Sequence, residues 1–339
     1  MKKVSMLRFS YSANAKLFFY RIPNAIFCIV FLIIAILGTV IINKLTSTHN
    51  YTRSKTELMT EYATFKETAQ KTIDIIEGRA ITEQPYDDRP EYAAALKDNI
   101  SLYDYYLSTD TCENDYIILN ESFVNWWTLE AKQKAFSALN VVFIFGLVFV
   151  VLSILMGSIC YKPFFSRNKL FMSGNVSKST LIKGRTLFLW TILATFILFT
   201  LIAAFIIIDK SPVKTMLTVK NANVLTQSVY LLIFSRILFF TAVGFFFYNF
   251  TTLLNNVTKK STLAFIISLI VFIGFIGISR LISLFTDYYY SFCVIPITGL
   301  LFNSKGFLDY TAYYNFPLAI IAGIVLYFVS RKKFEVIEF

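Results

Sequence analysis

A chain of 339 residues that is 56% hydrophobic and only 16% charged is too apolar for a soluble protein of its size, so we read it as an integral membrane protein. The formal charge of +11 does not mark a nucleic-acid binder, because the basic residues lie at the ends of apolar runs, where anionic lipid headgroups are their natural counter-charge. Cys28, Cys112, Cys160 and Cys293 are scattered without metal-ligand spacing, which argues against a metal site and leaves only Cys112 and Cys293 as a conceivable exported pair.

Residues 1–21 hold Lys2, Lys3, Arg8, Lys16 and Arg21 and no acid, interleaved with Met6, Leu7, Phe9, Tyr11, Leu17, Phe18 and Phe19. This is the pattern of a short helix lying in the headgroup layer. Residues 22–42 carry no charge and are long enough for a first bilayer span, which needs about 20 apolar residues. The run is too long for a signal-peptide core and is read as retained.

Residues 43–135 change character. Between Lys44 and Lys134 lie 10 Lys/Arg and 16 of the 21 acids in the chain, the composition of an outer, water-exposed domain. Leu58, Tyr62, Phe65, Ala69, Ile73 and Ile76 follow three-and-four spacing and Gly78 supplies a stop, so this stretch predicts an amphipathic helix. Tyr92, Leu96, Ile100, Tyr103 and Leu107 repeat the pattern after a turn between Pro85 and Pro90, and the two helices are expected to form an antiparallel hairpin. Trp126 and Trp127 precede the next span, where indole rings favour the water–lipid boundary; the alternative is that they are core residues of the outer domain.

The second span is expected over residues 136–160. It leads into 161–185, a polar stretch of twenty-five residues with six Lys/Arg and no acid, between two long apolar runs. A basic loop between spans faces the cytoplasm. Phe164, Phe165, Leu170, Phe171 and Met172 put an apolar cluster among its charges, which topology does not require and which a helix pressed into a partner's groove does. The third, fourth and fifth spans follow at 186–208, 228–250 and 262–284. Residues 209–227 form a short outer loop, and 251–261 an inner turn with Lys259 and Lys260. Residues 285–315 are apolar but broken by Pro296, Gly299 and Gly306, suggesting two short helices dipping into the outer leaflet under protein cover. A sixth span at 316–330 ends at Arg331, Lys332 and Lys333.

The inner segments so defined, residues 1–21, 161–186, 251–261 and 331–339, hold sixteen Lys/Arg against two acids, so six spans with both termini inside is the preferred topology. No catalytic constellation is present. His49 stands alone in an outer linker, and Gly174–Thr180 lacks the paired glycines of a phosphate-binding loop, so the chain is not expected to bind ATP or act as an enzyme. Arg236 and Arg280 sit within spans four and five. Charge there is penalised by lipid, so each either reaches a headgroup or an acid such as Asp209 or Asp287, or lines a path for an anionic or amphipathic substrate.

Six spans, an N-terminal interfacial segment, a basic loop after span two and a broken apolar region before span six make the chain resemble a membrane (permease) subunit of the type-2 ABC exporter family. The local likeness lies in Leu170-Phe171, Ser173-Gly174, Ser177-Lys178 and Gly184-Arg185, which lead into the third span. The resemblance implies an all-α polytopic fold. It makes Tyr161–Phe171 a coupling helix in which Lys162, Phe164, Phe165, Arg167, Lys169, Leu170 and Phe171 dock on a separate ATPase, and residues 294–310 paired re-entrant helices. It further implies two copies of an ABC ATPase subunit carrying ATP and magnesium, a second permease copy or paralogue, and no cofactor in this chain. The expected task is outward transport of an amphipathic or hydrophobic substrate, peptide or lipid-like, across a bacterial cell membrane. The Phe, Tyr, Ile, Asn and Lys richness suggests an AT-rich bacterium, where peptide export and resistance to antimicrobial peptides are common tasks of such systems. The alternative is a membrane sensor or accessory protein whose outer helical domain binds a ligand or partner. An ion-coupled transporter is disfavoured, since no Asp, Glu or His lies within a span.

Overall fold

A computed structural model of the chain describes residues 7–13, 15, 22–46, 54–78, 90–118, 134–160, 178–211, 213–220, 222–285, 296–302, 306–308 and 310–336. Most of these residues are helical. In chain order the helices are α1 Ile22–Thr46, α2 Lys55–Ile76, α3 Pro90–Thr109, α4 Lys134–Ile159, α5 Lys178–Asp209, α6 Val229–Thr258, α7 Ser261–Phe285, α8 Pro296–Phe302 and α9 Tyr310–Val336. Residues 7–13 are helical ahead of α1. Strands β1 Ile117–Ile118, β2 Thr215–Lys220 and β3 Asn223–Ser228 complete the described elements.

Five helices are long and apolar enough to cross a bilayer, over Ser137–Ile159, Ile182–Asp209, Val229–Thr258, Ser261–Ser279 and Ala312–Lys333. The protein is therefore membrane-embedded and multi-pass. The described apolar part of α1, Ile29–Ile41, is shorter than a span. Apolar side chains such as Phe199, Ile270 and Ile321 face outward on α5, α7 and α9, as expected where the surrounding solvent is hydrocarbon.

Helix α6 is the axis of the bundle and packs against α4, α5, α7, α8 and α9. Its contact with α4 is close because α4 presents Gly146, Ser153 and Gly157 to it. Such small residues let helix backbones approach in lipid, where no hydrophobic force draws helices together. A Cβ at Gly157 would stand 2.5 Å from the Tyr248 carbonyl oxygen, so only glycine fits.

Several helix limits differ from the sequence reading. Helix α6 continues to Thr258 instead of ending at 250, and α5 begins at Lys178, so the last eight residues of the basic stretch are already helix. Polar residues at the foot of a span cost nothing in headgroups, and hydropathy alone cannot see helix continuing there. Helix α9 covers Tyr310–Val336 and carries Pro317 within it, wider than the expected 316–330. Ahead of it lie α8 and a single 3-10 turn at Gly306–Leu308.

The predominantly charged segment folds as α2 and α3 packed antiparallel. Lys55 pairs with Asp110 at 2.9 Å at one end, and Lys97 with Glu77 at 2.7 Å at the other. Between them Tyr62 stacks on both Tyr103 and Tyr106, with ring centroids 5.3 and 5.1 Å apart. Helix α2 starts at a capping box in which the Ser54 hydroxyl accepts from the Glu57 N–H and the Glu57 carboxylate accepts from the Ser54 N–H. It stops at Gly78, whose φ of +73° suits glycine. Leu58, Tyr62, Ala69 and Ile73 are buried as the spacing predicts, while Phe65 is exposed. On α3 the buried face is turned from the expected one: Tyr106 is buried, and Tyr92 and Leu107 are exposed. Helix α3 packs on the sheet as well as on α2, and the second contact rotates its apolar side.

That sheet stands where an outer loop was expected at 209–227, in a chain whose described residues are otherwise mostly helical. Strand β2 pairs antiparallel with β3 and parallel with β1, in the order β1-β2-β3. The domain expected to lie outside, labelled the outer domain after that expectation, is therefore assembled from two chain segments, one between α1 and α4 and the other between α5 and α6. Successive strand residues alternate faces. Leu217, Val219 and Val224 join the core of α2 and α3, whereas Met216 belongs to the core of the membrane bundle.

Candidate functional site

The last carbonyls of a helix have no partner within it and must be satisfied from outside. At the C-terminal end of α4 this is done by other helices. Asn255 of α6 donates its amide to the Ser158 carbonyl at 2.6 Å, and the Arg185 guanidinium of α5 donates to the Cys160 carbonyl. A cation is favourably placed at that end of a helix dipole. The Tyr248 hydroxyl donates to Cys160 Sγ at 3.3 Å.

The same end gathers the remaining spans. Thr251 of α6 bonds Ser268 of α7 at 2.8 Å, and Ser261 donates to the Asn255 carbonyl oxygen at 3.4 Å. Asn256 donates to the Ser330 carbonyl and hydroxyl of α9 at 2.9 and 3.0 Å, and Arg331 donates to the Ser179 hydroxyl of α5 at 2.8 Å. Residues 7–13 dock here too: Tyr11 meets the Phe188 ring edge-on at 5.8 Å, and Ser10 lies where a Cβ on Gly184 would be. These bonds form a polar clasp tying α4, α5, α6, α7 and α9 together. Lys183, Arg185, Lys259, Lys260, Arg331, Lys332 and Lys333 all belong to this end.

The opposite end is closed by the outer domain and by α8. Ser279 of α7 and Thr298 of α8 share a hydrogen bond at 2.7 Å, and Gly306, at φ +60°, fits its backbone against Ser235 of α6. In the outer domain, burial pushes the Tyr62 phenol up to about 12 and that of Tyr106 further still, and raises Tyr103 as well. These rings remain neutral at physiological pH and act as packing surface.

Of the residues expected to couple to a partner, Lys162, Phe164, Phe165, Arg167, Lys169, Leu170 and Phe171 lie outside the described residues. Both helix ends that flank them, Cys160 and Lys178–Arg185, are within or beside the clasp. Arg236 is 5% exposed, so its side chain lies within the bundle. Arg280 belongs to α7, and its side chain lies outside the described residues, as do His49, Trp126, Trp127 and Cys293. Among the described residues no group of His, Cys, Asp and Glu is gathered as a metal site would require.

The clasp is the feature that reading the sequence missed. Its signal was present: Asn249, Thr251, Thr252, Asn255 and Asn256 crowd the last third of α6, and amide and hydroxyl groups at span ends bond across helices. The β2–β3 hairpin also had a signal, in TMLTVK and NVLTQS around a polar turn. Comparison with protein-family models, with curated proteins and with solved structures gives no match.

Proposed function

We propose that the protein is the permease subunit of an ATP-driven exporter of the type-2 ABC class, with six spans counting α1 and both termini in the cytoplasm. One observation carries this reading: the residues flanking the basic segment 161–177, Cys160 on one side and Ser179 and Arg185 on the other, belong to a clasp that holds five helices. A push on that segment reaches every one of them through hydrogen bonds within apolar surroundings, where such bonds resist exchange with water. The sorting of basic residues to the clasp end, away from the acid-rich outer domain, supports the orientation.

In this mechanism two ATPase subunits, carrying the ATP and magnesium, dock on Lys162, Phe164, Phe165, Arg167, Lys169, Leu170 and Phe171. Their closure tilts the segment, the clasp passes the tilt to α6, and a path opens between this chain and a second permease. Arg236, buried within the bundle in this state, is the residue that the tilt of α6 would turn toward an anionic or amphipathic substrate on that path. This chain contributes no chemical step.

Purification from the native membrane tests the reading: a stoichiometric ATPase whose hydrolysis the permease stimulates supports it. Reversing charge at Lys162, Arg167 and Lys169 is expected to abolish that stimulation while insertion persists, and wild-type stimulation in the variant argues against docking there. The sensor reading has its own support, because β3 runs directly into α6 at Ser228–Val229, so the outer domain is joined to the central helix. A chain that purifies alone and binds ligand through the outer domain would favour it.

A further inference from the structure

The sheet of the outer domain is a layer with two unlike seams. Register puts Met216 opposite Gln227, Thr218 opposite Leu225, Leu217 opposite Thr226 and Val219 opposite Val224. Opposed residues share a face, so Met216, Gln227, Thr218 and Leu225 form the one turned to the bundle. The other face is held by Leu217, Val219 and Val224 against the stacked rings of Tyr62, Tyr103 and Tyr106.

The bundle-side seam is poorly satisfied. The Thr218 hydroxyl and the Gln227 side-chain carbonyl are both buried and have no hydrogen-bond partner among the described residues. Each would gain a bond to water if the seam parted, and a buried polar group without a partner is a standing cost to the closed state. Leu225, on the same face, is already 41% exposed, so apolar cover over this seam is incomplete. The hairpin's own attachment beyond the seam is a narrow neck. Ser211 bonds Val213 through both its hydroxyl lone pair and its proton, and the Val229 N–H donates to the Lys214 carbonyl at 3.0 Å. The upper seam, by contrast, is reinforced by the parallel pairing of β1 with β2.

We infer that the β2–β3 hairpin, with α2 and α3 seated on it, is a hinged lid over the outer end of the bundle, closed on Met216 and poised to lift at the neck formed by Ser211, Val213, Lys214, Ser228 and Val229. Opening hydrates Thr218 and Gln227, and that gain offsets the loss of the Met216 contact. In the export reading the lid is the last barrier a substrate meets, but the inference itself rests only on the fold.

The test uses the full-length chain in lipid nanodiscs, where both faces are reachable, with its native cysteines replaced and a maleimide as probe. Met216→Cys, buried in the seam, is expected to react at least tenfold faster than Val243→Cys in the centre of α6. Adding Thr218→Val and Gln227→Met removes the two polar atoms and is expected to slow Met216→Cys at least tenfold. Val213→Cys is a second reporter at the same seam should Met216→Cys fail to fold. A reporter as slow as Val243→Cys, or one whose rate is unchanged or raised by the Thr218→Val and Gln227→Met pair, overturns the lid. Labelling needs neither an ATPase nor transport, so its failure leaves the export reading standing, and failure of the ATPase to copurify leaves the lid standing.

Discussion

Replacing Asn255 by leucine tests whether the clasp is what fixes the start of the basic segment. The substitution keeps the branched shape of the side chain and removes the amide that donates to the Ser158 carbonyl at 2.6 Å. That carbonyl belongs to the last turn of α4 and has no partner within its own helix. Losing the bond and stranding a buried acceptor costs about 1–3 kcal/mol. On a local opening equilibrium this is a change of about 5- to 150-fold. Cys160 reports on it directly, being buried two residues further on beneath the Tyr248 hydroxyl. In a chain retaining Cys160 as its sole cysteine, Asn255→Leu is expected to raise the rate of thiol modification within that range. The control is Asn249→Leu in the same helix. Asn249 is equally buried, but its amide donates to Phe245 of its own helix at 2.9 Å, a carbonyl that keeps its backbone partner. Its effect on Cys160 is expected to stay within about threefold, below the loss of one net hydrogen bond. Equal effects of the two variants, or no effect of Asn255→Leu, would refute the argument that interhelical capping holds this end closed.

Gly157→Ala places a Cβ 2.5 Å from a backbone oxygen of α6, forcing the central helix pair apart at a cost of about 1–3 kcal/mol, whereas Gly274→Ala meets nothing within 4 Å and is expected to be neutral. The yield of monodisperse protein after heating separates them. Tyr62→Phe removes a hydroxyl that accepts the Glu113 N–H at 3.2 Å and is expected to destabilise the outer domain by about 0.5–1.5 kcal/mol. Tyr106→Phe removes a buried hydroxyl with no partner among the described residues and is expected to be neutral or stabilising, read as protease resistance of the domain in the full chain. The Tyr62 phenol titrates at 10.0 when unperturbed and at about 12 in the fold, so both states are protonated below the lower value. Above it the unfolded chain loses its proton first, and outer-domain stability is expected to fall as pH rises through that window, less steeply in Tyr62→Phe.

Spans and charge were legible because the bilayer acts on each segment separately. Hydropathy over about 20 residues and the position of Lys and Arg need no knowledge of neighbours, and they located the apolar helices over 136–160, 186–208, 228–250, 262–284 and 316–330. The pairing of α2 with α3 was likewise written in a local period. What the sequence withheld is everything that depends on which segments meet. Asn255 and Asn256 read as ordinary loop residues until α6 is seen to extend past Ser158 and Ser330. Thr215–Ser228 read as loop because six-residue strands gain their stability from partners, here each other and β1 roughly a hundred residues earlier, and no local period records a parallel pairing. The turned face of α3 has the same origin: a helix packed on two surfaces buries what both together cover, and only the tertiary structure supplies the second surface.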